Sequence, residues 1–562
     1  MNQRVKPTVI FSLSMLVMAC QSVTHNPPTT DALSNTPVPT PALPAPIMAE
    51  AVVKAPAMQA RALSAMPIMM PAIAMPEAIS QDREKYHKLD QNPVQKVSDA
   101  PVSTFSIDVD TGSYSNVRRF LNDGRLPPVG AVRTEEIVNY FDYSYPQPSG
   151  NQPFAVTTQS YDSPFHPNAK LIKIAIQAKE QQMSELPAAN LVFLVDVSGS
   201  MASDNKLGLV KKTLRTLVHK LRAKDTVTII TYASGETIAL EPTAGDQKQK
   251  ILDVINRLQA QGATSGERAI SLAYQSAERS YVKDGINRIL LATDGDFNVG
   301  VTDFDTLKGM VSEKRKSGIS LSTLGYGTGN YNEHLMEQLA DAGDGNYSYI
   351  DNEKEAAKVI DRQLSSTLAT VAKDVKIQVE FNPNTVKEYR LIGYENRMLN
   401  EADFNNDKVD AGDIGAGHQM TAFYEIIPVG VQGWLDDTRY QTQPSAVNTQ
   451  AREYAYLQLR YKQANASADD DSLLIQAPIL ADAKPFGMAD TDTKFAVSAT
   501  GFGEALRGGK YLGKMDWAQI ETLAQQNIGT DPHGLRQEFV ELIGIAKSLS
   551  TKPAQVPSSQ AD

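Results

Sequence analysis

The stretch "VFLVDVSGSM", Val192 to Met201, carries an apolar run directly into one aspartate and two serines. The run extends back to Leu191, and an unbroken apolar segment of this length is typical of a strand that is covered on both faces of a sheet. The polar residues would then stand at the end of that strand. They could form a metal site, a carboxylate that handles phosphate, or only a polar strand end, and the surrounding sequence decides between these possibilities.

Strands and helices alternate regularly around this stretch, from residue 189 to residue 370. "KLGLVKKTLRTLVHKLRAKD" spaces its leucines and valines three or four residues apart, which predicts a helix with one buried stripe. "TVTIITY" and "TIAL" predict two strands joined by a hairpin-sized loop, and "RILLAT" and "ISLSTLGYG" predict further strands between helices. The alternation predicts an α/β fold with a doubly wound (Rossmann-like) parallel sheet, whose ligands bind at the carboxyl ends of the strands.

Three polar clusters fall at such strand ends or in a loop that precedes a helix. The side chains that they contribute are Asp196, Ser198, Ser200, Thr264 and Asp294. All of them carry hard oxygen donors, and none of the three loops contains His or Cys. Mg²⁺ suits such a sparse oxygen set, because it binds few protein ligands and keeps several waters. Ca²⁺ usually recruits more carboxylates, and zinc prefers nitrogen or sulfur ligands.

A DxSxS motif after the first strand, a GxT loop and a TDG strand end together resemble the metal ion-dependent adhesion site of the von Willebrand factor type A (VWA) domain family. The resemblance implies that Ser198 and Ser200 bind the metal directly. It implies that Asp196 and Asp294 bind largely through waters, and that Thr264 binds directly or through water. It further implies bound Mg²⁺ (or Mn²⁺ or Ca²⁺), with an open coordination position for an Asp or Glu carboxylate of a partner protein.

The flanking segments extend this resemblance to a bacterial lipoprotein subfamily of VWA proteins. "FSIDVDTGSYSNVRRFLNDGRLPP" resembles the N-terminal region of that subfamily, and "DIGAGHQMTAFYEI" resembles its C-terminal region. We therefore expect a mixed α+β N-terminal region, a VWA domain, and a C-terminal region that is β-rich and then helical. The predicted segments are a signal peptide (1–19), a disordered Pro/Ala/Met-rich tether (20–80), the N-terminal region (81–188), the VWA domain (189–370), the C-terminal region (371–550) and a disordered tail (551–562).

The N-terminus predicts export and lipidation. Arg4 and Lys6 form a basic region, and the apolar segment that follows is too short to span a bilayer. It ends in "VMAC", which resembles the lipobox at which bacterial lipoproteins are cleaved and lipidated on cysteine. Cys20 is the only cysteine of the chain, so no internal disulfide is possible. The alternative to a lipidation signal is an ordinary secretory peptide with a chance cysteine. If Cys20 is lipidated, Gln21 after it favours the outer membrane, with the protein facing the periplasm.

A stretch earlier in the chain, "FSIDVDTGSYS", is similar to the one around Asp196 and raises the possibility of an enzyme. Haloacid dehalogenase-type phosphatases use DxDx[TV], with the first Asp as nucleophile and the second as acid/base. Asp108 and Asp110 fit that pattern, but Gly112 occupies the fifth position and Thr111 comes one residue early. The simpler interpretation is a polar turn or cap before a helix that begins at Ser115.

Two further motifs fail their chemical requirements. "DFNNDKVDAGDI" (Asp403 to Ile414) opens like an EF-hand loop, but Lys408 stands where glycine is needed and Ile414 where the bidentate Glu belongs. A calcium site of other geometry and a solvated loop both stay open there. A serine hydrolase would need a histidine near Ser198 or Ser200, and none of the chain's histidines shares a motif with them.

The charge balance limits the partners. The net charge of −11 argues against nucleic acid and against an anionic membrane surface as binding partners, because phosphate groups attract basic proteins.

Taken together, the motifs and the N-terminus predict a membrane-anchored VWA lipoprotein, not an enzyme, that binds a partner protein's carboxylate through a divalent metal. The alternative is a structural or envelope-assembly protein whose metal only stabilises the fold, and a phosphatase that uses Asp108 and Asp110 comes third.

Overall fold

The computed structural model describes residues 84, 86, 90–107, 110–182, 184–263, 266–295, 304–329, 331–366, 370–407, 409, 411–436, 452–466 and 470–551. The predicted signal peptide and tether with Cys20, the residues Asp108 and Thr264, and the predicted tail beyond residue 551 lie outside this part of the chain. The predicted domain boundaries stay predictions.

The elements follow one another in three groups. The first is β1 (Gln95–Lys96), β2 (Val102–Ser106), α1 (Gly112–Asn122), α2 (Thr134–Asn139), β3 (Phe154–Asp162) and β4 (Lys170–Ala178). The second is β5 (Ala189–Asp196), α3 (Leu209–Lys220), β6 (Thr226–Tyr232), β7 (Glu236–Ala244), α4 (Lys248–Arg257), α5 (Gly266–Arg279), β8 (Ile286–Thr293), α6 (Phe304–Arg315), β9 (Ser320–Tyr326), α7 (Glu333–Ala342), β10 (Tyr347–Ile350) and α8 (Glu353–Ser366). The third is β11 (Thr370–Phe381), β12 (Val386–Ile392), β13 (Met398–Leu399), β14 (Gly412–Gly415), β15 (Gln419–Pro428), β16 (Glu453–Gln463), β17 (Leu473–Leu480), α9 (Thr491–Leu506), α10 (Trp517–Gln526) and α11 (Leu535–Ser550).

The second group forms the predicted doubly wound α/β domain. Its sheet has the strand order β10-β9-β8-β5-β6-β7, and all neighbours are parallel except β6 and β7. The antiparallel edge strand β7 follows from the short loop after β6, which is a hairpin connection. Every residue of β5 is buried, because helices α3, α4 and α8 cover one face of the sheet and α5, α6 and α7 cover the other.

The first and third groups of elements together build one β-sandwich. The sequence analysis treated these two flanks as separate regions and did not predict that they share a sandwich. One antiparallel sheet has the order β1-β12-β15-β4-β3, and the other has the order β13-β2-β11-β16-β17, with β14 paired to β11. Both sheets therefore contain strands from before and from after the α/β domain. Their facing side chains, among them Phe105, Ile174 and Ile377, form one apolar core.

Helices from both flanks cover the outer face of the first sheet. Tyr114 and Ile137 of the N-terminal helices pack with Phe495 and Phe539 of the C-terminal helices in one apolar cluster, which also includes Phe423 of β15. None of the helices within the described ranges is both long and apolar enough to cross a bilayer.

A buried arginine joins this helical layer to the α/β domain. Arg118 of α1 donates hydrogen bonds to Asp351 and Glu355, at the junction of β10 and α8. It also pairs with Glu538 of α11 and donates to the hydroxyl of Tyr140. Its side chain is 1% exposed, so a guanidinium that is out of water depends on these partners for its stability.

The polar sequence before α1 has a structural role that differs from the predicted cap. Helix α1 begins at Gly112 rather than at Ser115, and Thr111 makes no side-chain cap hydrogen bond. At its first position, Gly112 lies against the ring of Tyr347, with which any larger side chain would collide. The buried Asp110 accepts a hydrogen bond from the backbone N–H of Tyr347 and pairs with Arg397, so it fastens the flank to β10.

We predict that Arg118→Met destabilises the protein by about 3–5 kcal/mol, because it leaves Asp351 buried without its cation and leaves Glu355 with the more distant ammonium of Lys358 (3.9 Å). Urea unfolding monitored by circular dichroism measures the change. Lys212→Met is the matched control, since Lys212 forms an exposed ion pair with Glu353 and its loss should cost at most about 1 kcal/mol. Equal losses in the two variants would contradict a structural role for Arg118.

A second buried cluster gives a pH-dependent prediction. Burial raises the pKa of Glu333 to about 7, and Arg133 opposes this rise only in part because its guanidinium lies closer to Glu337 (2.7 Å) than to Glu333 (3.5 Å). The folded protein thus holds a proton that the unfolded chain releases above its ordinary pKa of 4.5. Stability from this group is complete below pH 4.5 and is lost as the pH rises through 7.

We therefore expect wild type to lose up to about 3 kcal/mol from this group between pH 4.5 and pH 7.5, and Glu333→Gln to lack that loss. Urea midpoints measured across this range test the difference. Glu353→Gln, an exposed carboxylate of α8, should keep the wild-type pH dependence. A Glu333→Gln profile parallel to that of wild type would show that Glu333 is ionised in the folded state.

Candidate metal centre

Two predicted metal-binding carboxylates stand side by side at one edge of the α/β sheet. Asp196 is the last residue of β5, and Asp294 directly follows β8. The strands are parallel neighbours, with Val195 opposite Ala292, so their carboxyl ends meet at the same edge. Both aspartates are fully buried. The structure therefore brings together two residues that are far apart in the sequence.

The carboxylate of Asp196 is held by hydrogen bonds on both oxygens. Its Oδ1 accepts from the backbone N–H of Ser198 at 2.9 Å, and its Oδ2 accepts from the hydroxyl of Thr293 at 2.9 Å. Burial raises the pKa of this carboxyl to about 6, while the bonds from Ser198 and Thr293 oppose the rise and the nearby Asp294 adds to it. The side chain is thus fixed in direction and out of contact with bulk water.

The serine hydroxyls converge beside these carboxylates. The Oγ atoms of Ser198 and Ser200 lie 3.0 Å apart; Ser198 is buried and Ser200 is exposed. Gly199 donates its N–H to the carbonyl of Gly262, and this bond holds the serine loop against the chain that leads to Thr264. Thr264 itself lies outside the described residues, so its predicted role as a ligand stays a prediction.

A lysine that the sequence patterns did not indicate completes the described surroundings. Lys206 Nζ donates to Asp294 Oδ2 at 2.9 Å. The lysine belongs to a five-residue π-helical turn, Asp204–Gly208, between the serine loop and α3. The sequence did not indicate this contact, because a lysine at the start of a helix is normally solvated and its partner Asp294 follows a strand much later in the chain.

The donor set fits a hard divalent cation of low protein charge. The described residues supply two buried carboxylates and two hydroxyls at one sheet edge, all of them oxygen donors. Nowhere in the described part of the chain do three or more His, Cys, Asp or Glu side chains converge on a metal position. A metal at this edge would therefore depend on the serine hydroxyls as well as on the aspartates.

Family models match nearly all of the described chain. They are "von Willebrand factor" (residues 80–173), "von Willebrand factor type A domain" (residues 190–363) and "Uncharacterized protein YfbK, C-terminal" (residues 366–549). An Escherichia coli (strain K12) protein described as "Uncharacterized protein YfbK" is 46% identical over 474 residues, which are 83% of this chain and 81% of that protein. The chain belongs to the YfbK family of VWA-domain proteins. The VWA resemblance is thereby confirmed.

More distant similarities cover smaller parts. A Synechocystis protein described as "Uncharacterized protein sll0103" is 28% identical over 216 residues, 38% of this chain and 50% of that protein. Human inter-alpha-trypsin inhibitor heavy chain H3 is 24% identical over 306 residues, 50% of this chain and 33% of its own length. The solved structure of a von Willebrand factor type A protein from Catenulispora acidiphila is 14% identical, with a TM-score of 0.39, over 72% of this chain and 91% of that one.

The other candidate motifs have structural explanations where they are described. Asp110 is buried in its ion pair with Arg397, and Asp108, the phosphatase nucleophile of the alternative, lies outside the described residues. In the loop that resembles an EF-hand, Asp407 pairs with Arg460 and accepts from the hydroxyl of Ser472. These bonds lower the pKa of Asp407 and occupy its oxygens with protein donors.

We predict that Thr293→Val destabilises the metal-free protein by about 1–3 kcal/mol, because the buried Asp196 loses a hydrogen-bond donor. Urea unfolding in the presence of EDTA measures this loss. Thr216→Val is the matched control, since the Thr216 hydroxyl donates to the carbonyl of Lys212 on the exposed side of α3. This change should alter stability by no more than about 0.5 kcal/mol. A Thr293→Val variant as stable as the control would contradict the importance of this bond.

Proposed function

We propose that this protein is a lipid-anchored protein of the bacterial cell envelope that binds a partner protein through a divalent metal at the edge of its VWA sheet. VWA domains support interaction and adhesion roles in general. The observation that carries the proposal is the pair of fully buried carboxylates, Asp196 and Asp294, next to the hydroxyls of Ser198 and Ser200. Ser200 is exposed, so the site is open to a partner on its outer side.

Each residue has a defined part in this proposal. Ser198 and Ser200 would hold the metal directly, Asp196 and Asp294 would hold it largely through waters, and Thr264 would complete the set. A bound divalent ion would supply a Lewis-acidic position that an outside Asp or Glu carboxylate can fill. Thr293 keeps Asp196 from turning away, because its hydroxyl occupies one carboxylate oxygen.

The oxygen donors support Mg²⁺ as the bound ion, with Mn²⁺ or Ca²⁺ as alternatives. For the anchor, Cys20 at the end of the short apolar segment supports lipidation, and Gln21 directly after it supports an outer-membrane position that faces the periplasm. The net charge of −11 supports a protein partner rather than nucleic acid.

We expect Asp196→Ala to abolish Mn²⁺ binding, measured by electron paramagnetic resonance of the free ion, while most of the thermal stability remains. Asp204→Ala is the matched control, because Asp204 is an exposed acid in the turn that follows the serine loop. The Asp204→Ala protein should bind Mn²⁺ as wild type does. In cells, crosslinks to an envelope partner should disappear both in Asp196→Ala and after treatment with EDTA.

Other outcomes of these experiments would favour a structural role of the metal or an enzymatic function. If EDTA and Asp196→Ala both unfold the protein, the metal is structural and an envelope-assembly role follows. If wild type hydrolyses phosphoesters and Asp108→Asn removes this activity while Asp196→Ala keeps it, the protein is an enzyme. Mn²⁺ binding that survives in Asp196→Ala would place the metal elsewhere and would refute the proposed site.

A further inference from the structure

Lys206 places a positive charge inside the candidate metal centre. Its ammonium lies 2.9 Å from Asp294 Oδ2, its side chain is 10% exposed, and its partner carboxylate is fully buried. An ion pair that is largely removed from water is screened much less by salt than a surface pair. The charge of Lys206 therefore acts on any ion that enters beside Asp294.

The fold holds this lysine in place by more than its charge. The methylene stem of Lys206 lies against Gly327, which follows β9 with a φ of +77°, and a side chain at that position would collide with the stem. The hydroxyl of Tyr349 in β10 donates to the Gly327 carbonyl at 2.6 Å and fixes this backbone. The lysine of this turn is therefore held against the residues that directly follow β8 and β9.

The charges of the named groups favour an additional carboxylate once a metal is bound. Asp196, Asp294 and Lys206 together carry one net negative charge. A divalent ion would leave these groups with one net positive charge, which a single outside carboxylate would cancel. Without the lysine, the metal alone would neutralise the two aspartates, and an incoming carboxylate would add an uncompensated charge at a partly buried position.

We propose that Lys206 is a built-in counter-cation that weakens the binding of the metal alone and strengthens the binding of a carboxylate to the metal-loaded site. The inference rests on the proposed function of this site. Because coupling between two ligands is reciprocal, carboxylate binding then raises the affinity for the metal. In this way Lys206 favours the complete assembly of metal and partner over a site that holds metal alone.

The test compares Lys206→Met with the matched control Lys212→Met, whose lysine forms an exposed ion pair on α3. Mn²⁺ affinity is measured by electron paramagnetic resonance, first without and then with acetate, at constant ionic strength. We expect Lys206→Met to bind Mn²⁺ roughly 10- to 100-fold more tightly without acetate. Acetate should tighten Mn²⁺ binding in wild type and in the control, and by much less in Lys206→Met.

Lys206→Gln provides a second variant, because its amide retains a polar hydrogen-bond donor on a side chain one atom shorter and removes the positive charge. It should show the same direction of change even if Lys206→Met folds poorly. A Lys206→Gln variant that binds Mn²⁺ as wild type does, or more weakly, would overturn the counter-cation role. So would an equal effect of acetate on wild type and on Lys206→Gln.

The two proposals fail in different ways. If wild type binds no Mn²⁺, or binds it independently of Asp196, the proposed function falls and the inference falls with it. If wild type binds Mn²⁺ through Asp196 and removal of the Lys206 charge does not tighten binding, only the counter-cation role is refuted.

Discussion

The buried guanidinium of Arg118 is the constraint on which the assembly of this protein depends. One side chain of α1 binds Asp351 and Glu355 of the α/β domain and Glu538 of the last helix. Arg118, Asp351 and Glu355 are almost completely removed from water, so these buried charges depend on one another for their stability. The flanks and the α/β domain therefore hold one another in position, although long stretches of sequence separate them.

This constraint reaches the sheet edge that carries the candidate metal centre. Asp351 directly follows β10, and Glu84, which pairs with Arg119 beside Arg118, accepts a hydrogen bond from Gly329 after β9. Both points lie at the carboxyl ends of strands in the same sheet as Asp196. The flanks thus support the loops that surround the centre, so a change at the flank interface can alter those loops without touching the metal-binding residues.

The local parts of this architecture were predictable from the sequence, and the long-range parts were not. The apolar run before Asp196 and the helical spacing after it depend on neighbouring residues, which is why the α/β domain and its strand-end aspartates were found. The shared sandwich depends on β2 pairing with β11, which lies beyond the whole α/β domain in the sequence. The spacing of apolar residues within a strand does not show which distant strand will be its partner. The exposed edge strand β17, "LLIQAPIL", has no clear polar alternation and therefore gave no strand signal.

Lys206 shows the same limit at the level of chemistry. The adhesion motif is recognisable because its aspartates and serines come directly at the ends of strands, where local sequence determines position. The lysine reaches Asp294 only because a π-helical turn redirects the chain before α3 and because Gly327 leaves room for its stem. A motif therefore identifies which atoms can bind a metal, whereas the balance of charge around those atoms follows from packing between elements. Since that balance decides whether a loaded site attracts a further carboxylate, two VWA domains with identical motifs can differ in how strongly they hold a partner.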